Sequence, residues 1–460
     1  MRVLLRSVQR SDAAVVFVLA AATFARADEP GVMDLPALTQ AAERHSHNVA
    51  AARHAIAAAE AKLSEARISP FFQFRSTAGF AMVPGAEGTP GYRADSINQL
   101  DREFGPALQA TIEGAVPLWT FGKIQAAKDA ARAGVRAAQH ARDDAHADVI
   151  FDTRRAYYAL QLALDTLQMI SEGEPKLEKA LTQFDTRLAE NDPDTDAMDR
   201  FRLATALAEV KARRSEATRL GDSARAALEV LTGIAPVRVP DCPLTALEHT
   251  PKPPPWYREQ ALRHRPELSM LSAAAAARRA DVDLNGAKYY PDLALTMELG
   301  AEYIPGRTMY EYYNPLLLGA GIVARWNLDF WGQSFRKRNA EEKLLETQEQ
   351  STLAREGVEL EVSTEYAALV DARERTNAWD EGRDEARRWF VTAAQGYEVG
   401  IVKPKELVDS LGAYFKARFA HLTAIHDQNV SLARMERAVG MPLVPRAAWA
   451  QGCEPLPGSD

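Results

Sequence analysis

The stretch NLDFWGQ (residues 327–333) joins two segments of different periodicity. Apolar and polar residues alternate before it, whereas a long charged run rich in Ala and Glu follows it. The stretch PLWTFGK (residues 117–123) stands between the same two patterns, and its Gly122 precedes Gly332 by 210 residues. Alternation indicates a strand and the long charged run indicates a helix, so the sequence predicts the same strand-to-helix transition twice.

The two transitions belong to a longer internal repeat. Pro70 stands nine residues before Gly79, and Pro291 stands nine residues before Gly300. Later in the chain, LEVLTGIAP (residues 228–236) resembles MERAVGMPL (residues 435–443). A repeat of this kind indicates a tandem duplication of one structural unit. The sequence therefore predicts three parts after the N-terminal segment: a first repeat, a second repeat and a C-terminal tail, over residues 28–240, 241–443 and 444–460.

Each repeat is expected to contain a helix, two strands, a long helix and a return helix. The predicted strands cover residues 71–82, 107–118, 292–303 and 316–328. The long helices are predicted over residues 122–190 and 332–399, and the return helices over residues 196–232 and 404–439. The transitions between strand and long helix contain aromatic and glycine residues, and we call these positions the corners: Trp119, Phe121, Gly122, Phe330, Trp331 and Gly332.

All four predicted strands have one apolar and one polar face. This pattern suits strands that face lipid on one side, and equally a soluble sheet with one wet face. Aromatic residues near the strand ends favour the membrane alternative, because such rings concentrate at membrane interfaces. Four strands cannot close a barrel, so transmembrane strands would require several copies of the chain. The polar face would then line the barrel lumen with Arg75, Glu113, Glu298, Glu302 and Arg325.

The N-terminal segment has the three parts of a secretory signal peptide. Basic residues in MRVLLRSVQR precede a short apolar run, and Ala25 and Ala27 form an A-x-A cleavage site. The signal peptide is therefore predicted over residues 1–27. Export leads to an oxidising compartment, where Cys242 and Cys453 either form a disulfide or remain two unrelated thiols.

The order and spacing of these features resemble one known family, the TolC-type outer-membrane efflux proteins. The resemblance extends from about Leu35 to Leu443 and depends on the duplication, the corners WTFGK and DFWGQ, and the stretch YEVGIVKPKELVD (residues 397–409). It implies a mainly α fold with transmembrane β structure. Three copies would form a twelve-stranded outer-membrane β-barrel joined to a long periplasmic α-helical barrel.

The resemblance also implies partners and a docking site. Members of the family form homotrimers and act with a periplasmic adaptor, also called a membrane fusion protein, and an inner-membrane transporter in efflux or type I secretion. Their adaptor-docking turn corresponds here to Val399, Gly400, Ile401 and Val402. The first repeat lacks this motif, which leaves docking there in doubt. Carboxylates near both turns would form either a cation-favouring ring or plain solvated turns and helix caps: Asp192, Asp194, Asp196, Asp199, Glu406 and Asp409.

Other classes of function find little support in the sequence. A net charge of −8 gives no basic surface for nucleic acid. The sequence contains no Gly-x-Ser-x-Gly, P-loop or His-Glu-x-x-His motif, and its nine His residues are scattered. We therefore expect neither an enzyme nor a cofactor or metal site. The main alternative is an exported coiled-coil structural or adhesin-like protein without transport activity.

Overall fold

The computed structural model describes residues 32–71, 73–88, 98–190, 196–303, 316–399 and 401–449. The predicted signal peptide lies outside these residues. The described part of the chain contains nine α-helices and four strands. The helices are α1 (Leu35–His45), α2 (His47–Ile68), α3 (Lys123–Ala189), α4 (Ala197–Thr232), α5 (Pro254–His264), α6 (Pro266–Ala287), α7 (Phe330–Glu398), α8 (Pro404–Val439) and α9 (Arg446–Trp449). The strands are β1 (Gln73–Gly88), β2 (Asn98–Trp119), β3 (Asp292–Tyr303) and β4 (Leu316–Arg325).

The first helix of each repeat is broken at one residue, which the sequence pattern did not predict. Ser46 separates α1 from α2, and its hydroxyl accepts a hydrogen bond from the Val49 amide at 3.3 Å. Arg265 separates α5 from α6 and has an extended backbone. It precedes Pro266, whose ring disfavours the helical conformation in the residue before it. Different local causes therefore produce the same break in both repeats.

The return helices also end alike. Gly233 after α4 and Gly440 after α8 have positive φ angles of 71° and 77°. Each glycine amide donates to a carbonyl four residues earlier at 2.9 Å, which is a common way to end a helix. A side chain on Gly233 would meet His45, and one on Gly440 would meet the backbone of His264. The end of each return helix thus packs on the break in the first helix of its own repeat.

The four strands form one antiparallel sheet in the order β1, β2, β3, β4. The bounds of β3 agree with the prediction, β4 ends at Arg325 and so three residues earlier than predicted, and β1 and β2 extend well beyond their predicted ends. Their pairing with each other continues to Gly88 opposite Asn98, past the last β2–β3 pair of Leu108 and Tyr303. The predicted strands are too short because the alternation of apolar and polar residues ends before the strands do. The backbone hydrogen bonds between two paired strands do not require such alternation.

The long helices determine the dimensions of the protein. α3 has 67 residues and α7 has 69, so each is about 100 Å long at about 1.5 Å per residue. The largest buried apolar cluster lies midway along them, where α1 and α5 cover α3, α7 and α8. Tyr158 and Tyr257 are the largest fully buried side chains there. A smaller cluster around Phe184 and Leu203 joins α3 to α4 farther from the sheet.

The connector between the two repeats, residues 233–253 between α4 and α5, is held against this core by polar side chains. The Asn429 side chain accepts from the Leu247 amide and donates to the Thr245 carbonyl, both at 2.9 Å. Asp165 accepts from the Leu244 amide at 2.7 Å. Because α8 and α3 belong to different repeats, these bonds attach the connector to both of them.

Candidate functional site

The predicted lumen residues share one face of the sheet. Arg75 is directly opposite Glu113, and Glu113 is directly opposite Glu298. Directly opposed residues of antiparallel strands point to the same side, so these three side chains form one row across the sheet. Glu302 lies four residues beyond Glu298 on β3. Arg325 on β4 is directly opposite Asp292, and Asp292 lies six residues before Glu298 on β3. Even spacing along a strand keeps all five on one face.

The opposite face of the sheet is apolar and exposed in the single chain. Phe80, Leu318 and Ile322 have exposed fractions of 67%, 83% and 73%. Leu108 lies opposite Phe80, and Leu299 lies opposite Leu318, so the apolar side chains also form rows. An exposed apolar surface of this kind marks a contact with lipid or with another protein.

At the first corner, β2 turns into α3 through two residues of positive φ. Phe121 has φ 50° and Gly122 has φ 91°, and glycine adopts this conformation without a steric penalty. The Phe121 ring stacks on Tyr290, with ring centroids 5.2 Å apart. Lys123 Nζ donates to the Tyr290 carbonyl at 2.9 Å and to Asp292 at 2.8 Å. The corner of the first repeat is thereby attached to the start of β3 in the second.

The second corner is built differently from the first. α7 begins at Phe330, so Gly332 lies in its first turn and not in the bend. The Asp329 carboxylate caps this turn by accepting from the Gly332 amide at 3.0 Å. A Cβ on Gly332 would lie 2.2 Å from that carboxylate. Hydrogen bonds from Arg336 and the Gly332 amide hold the pKa of Asp329 below its ordinary value.

Aromatic rings are exposed at both corners. Trp119 and Trp331 have exposed fractions of 60% and 83%. Trp326 Nε1 donates to the Tyr289 carbonyl at 3.0 Å, which ties the end of β4 to the residues before β3. The start of β3 lies between the two corners, because β3 is paired with β2 on one side and with β4 on the other. The rings therefore form one group at the junction of sheet and helices.

The turn between α7 and α8, which we call the second tip, presents two apolar side chains to solvent. Val399 and Ile401 have exposed fractions of 69% and 82%. Val402 is half-buried and lies against Gly396, where a Cβ would come within 2.4 Å of it. The amides of Ile401 and Val402 both donate to the Gly396 carbonyl, at 2.9 and 3.1 Å. Gly400 lies outside the described residues.

The acidic residues at the second tip, and at the turn between α3 and α4 that we call the first tip, have local partners where the structure describes them. Asp196 caps α4 by accepting from the Met198 amide at 2.9 Å. Asp199 pairs with Arg202 at 2.9 Å, and Glu406 accepts from Trp389 Nε1 at 2.9 Å. Asp409 is exposed on α8, and Asp192 and Asp194 lie outside the described residues. The caps and pairs give Asp196, Asp199 and Glu406 structural roles, and a cation-favouring ring stays a prediction.

A hydrogen bond joins the two tips of one chain. Arg187 near the end of α3 donates to the Tyr397 hydroxyl near the end of α7 at 2.7 Å. The two residues are 210 positions apart, so they occupy equivalent places in the two repeats. This contact holds the α3–α4 pair beside the α7–α8 pair at the end farthest from the sheet.

The sequence analysis missed a partly buried network of charges in the middle of the helices. Arg437 donates to Asp144, Asp148 and Glu267 at 2.5, 2.6 and 3.1 Å. Burial disfavours its charge, yet these carboxylates raise the pKa of Arg437 above its ordinary value. The equivalent residue of the first repeat is Val230, so no repeated pattern marked the site. The network fastens α8 to α3 and α6.

The cysteine prediction concerns the C-terminal tail. Cys242 is buried in the connector, with an exposed fraction of 8%, and Cys453 lies outside the described residues. A bond between them would fix the tail to the connector. Peptide mapping of the unreduced protein tests this prediction: we expect one peptide pair joined through Cys242 and Cys453. Two separate thiol-bearing peptides would contradict it.

None of the helices within the described ranges carries an apolar run of the length that crossing a membrane requires. Among the same residues, no three His, Cys, Asp or Glu side chains come together as metal ligands would.

The duplicated unit and the helices of about 100 Å define an elongated protein with an exposed apolar sheet at one end. The model of the family described as outer membrane efflux protein matches residues 38–234 and 257–441. The chain belongs to this outer membrane efflux protein family. The prediction made from the corners, the duplication and the tip is thereby confirmed, and the exported structural or adhesin-like alternative is not favoured.

Solved structures show the same fold. The outer-membrane channel OprN matches with a TM-score of 0.74 and 19% identity, over 89% of this chain and 91% of that chain. VceC from Vibrio cholerae gives 0.73 and 16%, over 89% and 97%. The open state of MtrE from Neisseria gonorrhoeae gives 0.72 and 16%, over 89% of both chains. A search of curated proteins by sequence gives no match.

Family membership establishes location and class of activity. The protein is an outer-membrane efflux channel whose helices extend into the periplasm, and it is a passive channel and not an enzyme.

Proposed function

We propose that three copies of the chain form one duct, which carries substrates from an inner-membrane transporter through a periplasmic adaptor and across the outer membrane. The observation that carries this proposal is a four-stranded sheet with one apolar face and two open edges, β1 and β4. Open edges cannot persist in lipid, because their backbone groups lack partners there. Joining β4 of each copy to β1 of the next removes every edge.

Three copies of four strands give a barrel of twelve. In such a barrel the apolar face contacts lipid and the polar face lines the lumen. Arg75, Glu113, Glu298, Glu302 and Arg325 are then the charged groups that passing substrates meet. The corner aromatics lie at the interface where the barrel joins the helices. Both tripartite efflux and type I secretion use a duct of this design, and substrate choice belongs to the transporter.

We further propose that the second tip docks the adaptor through Val399 and Ile401. Both side chains are apolar, mostly exposed and held on a turn that Gly396 and Val402 make compact. Exposed apolar residues at an otherwise polar end suit a protein partner. Gly400 belongs to the same proposal through the sequence motif.

Replacing Val399 and Ile401 together by Asp should weaken adaptor binding at least about 100-fold, because burying each apolar side chain is worth about 1.5–3 kcal/mol and about 1.4 kcal/mol corresponds to a factor of ten. Export by cells that carry the matching transporter and adaptor should fall accordingly, while outer-membrane insertion stays intact. Dye efflux and copurification of the adaptor measure the two effects.

Val32→Asp provides the control, since Val32 has an exposed fraction of 62% and lies three residues before α1, away from the tips. It should leave export unchanged. Full efflux by the double variant would show that these residues do not dock the adaptor.

A further inference from the structure

Three helices enclose a cavity close to the tips. It has a volume of about 330 Å³ and lies between α3, α4 and α8, and we call it the α8 cavity. Small-molecule sites in proteins have volumes of about 300–1,000 Å³ and mainly apolar walls, so this cavity falls at the lower end of that range. Its wall includes six apolar side chains: Met169, Ile170, Leu177, Val210, Leu411 and Phe419.

The cavity exists because small residues face each other beside one large ring. A Cβ on Gly173 of α3 would overlap the Phe415 ring of α8, so this ring rests on the α3 backbone. Next to it, Ala206 of α4 and Gly412 and Ala413 of α8 line the space with little or no side chain. These small residues leave the space between α4 and α8 unfilled.

The mouth of the cavity carries positive charge. Gly412, Arg213 and Lys416 line it and are exposed, so it opens to the surface of the chain. The Arg213 guanidinium carbon lies 5.0 Å from the centroid of the Phe419 ring. Lys416 lies three residues before Phe419 on α8 and therefore on the same side of that helix. Both cations thus lie beside the same ring.

The two cations can bind a further anion. Arg213 pairs with Glu216 on its own helix at 3.0 Å, which uses part of the five N–H donors of a guanidinium. Lys416 forms no ion pair within the part of the chain that the structure describes. Among the described residues that line the cavity, Glu209 is the one carboxylate. An apolar wall with a positive mouth matches a molecule that has an apolar body and a negative head group.

We propose that the α8 cavity binds a small organic anion with an apolar, ring-containing body. The body lies in the cavity against Phe415, since aromatic rings favour stacked or edge-to-face contacts with each other. The carboxylate of the ligand binds between Arg213 and Lys416. All of these residues belong to one chain, so the site goes beyond the proposed duct and does not depend on the trimer. A bound molecule contacts three helices at once and stabilises the packing of α8 on α3 and α4.

Photolabelling with 4-benzoylbenzoate tests the site on the full-length protein purified in detergent. This probe is a water-soluble aromatic carboxylate whose ketone reacts with nearby C–H groups on irradiation. Mass spectrometry should find the label on the lining residues of the α8 cavity, and an excess of biphenyl-4-carboxylate should abolish it. Neutral benzophenone should label the same peptides at least about tenfold less, because it lacks the charged group that the two cations bind.

Gly412→Leu tests whether the cavity itself is the binding site. At about 100° per residue, position 412 lies on the same side of α8 as Val408 and Phe415. A Cβ there would meet nothing within 4 Å, so a leucine side chain can occupy the cavity, and labelling should be lost. Gly134→Leu makes the same change at an exposed glycine of α3 that also has open space around it, and it should leave labelling unchanged.

A second pair of variants tests the head-group contacts. Arg213→Gln with Lys416→Gln removes both cations and should lower labelling at least about tenfold. Lys176→Gln with Lys179→Gln removes two exposed cations of α3 that do not line the cavity, and it should leave labelling unchanged.

The possible failures are distinguishable. Labelling that is spread along the helices, or that persists in Gly412→Leu, overturns the site. Equal labelling by neutral benzophenone overturns the binding of an anion. An unlabelled cavity in a protein whose detergent-solubilised mass equals three protomers means that a neighbouring copy covers it, which overturns the proposal and leaves the duct standing.

Discussion

Glu436→Ala should lower the free energy of unfolding by about 3–5 kcal/mol, the range found when one partner of a buried ion pair is removed. Glu436 has an exposed fraction of 6%. Its carboxylate pairs with Arg154 and accepts from the amides of Leu443 and Val444 at 2.8 and 3.1 Å. The Arg154 guanidinium also lies 3.8 Å from the ring centroid of Trp449. Alanine would leave a buried cation and two amides without their acceptor.

Denaturant unfolding followed by circular dichroism measures the change. The first repeat offers a matched control, since Glu229 occupies the equivalent place and accepts only from the Val237 amide, at 3.3 Å, among the hydrogen bonds found for its carboxylate in the described residues. Glu229→Ala should therefore cost only about 1 kcal/mol, which is typical of one net hydrogen bond. Equal losses in the two variants would mean that the ion pair with Arg154 contributes nothing.

Gly440→Ala should cost about 2–5 kcal/mol. The left-handed conformation at this residue adds about 1–2 kcal/mol for any residue with a Cβ, and overpacking adds about 1–3 kcal/mol. The new methyl group would lie 2.9 Å from the His264 carbonyl oxygen and 3.1 Å from the Arg265 Cα. Both belong to backbone at the helix break, which cannot rotate away. Thermal melting of the purified protein measures the loss.

The equivalent change in the first repeat should be milder. A Cβ on Gly233 would meet the His45 ring, which can turn aside, so Gly233→Ala should cost about 1–2 kcal/mol from the backbone alone. Gly134→Ala, inside α3 with open space around it, should instead stabilise by up to about 1 kcal/mol. A Gly440→Ala protein as stable as the Gly134→Ala protein would refute the close packing at the break.

Periodicity predicted the long elements well, for reasons that are visible in the structure. The predicted bounds of β3 agree with the structure, and those of α3, α4, α7 and α8 agree within two residues. In each of these elements one face lies in different surroundings from the opposite face. This difference produces the periodic pattern of apolar and polar residues along the element. The extension of β1 and β2 and the breaks at Ser46 and Arg265 depend on backbone pairing and local capping, which leave no such pattern.

The functional residues likewise divide into those that periodicity predicted and those that it did not. Alternation placed Arg75, Glu113 and Glu298 on one face, and the register then put them in a single row. Their exposure to a lumen depends on other copies of the chain, which one sequence does not describe. Arg437 gave no signal, because its three carboxylate partners come from two other helices and its equivalent in the first repeat is apolar.

The measurement that tests the central claim most directly is the mass of the protein extracted by detergent from the outer membrane, determined by light scattering with correction for bound detergent. The proposed duct closes the open edges of the sheet with three copies of the chain in one barrel, so we predict a mass of three protomers. The same protein isolated as a single copy from the soluble periplasmic fraction would contradict the account.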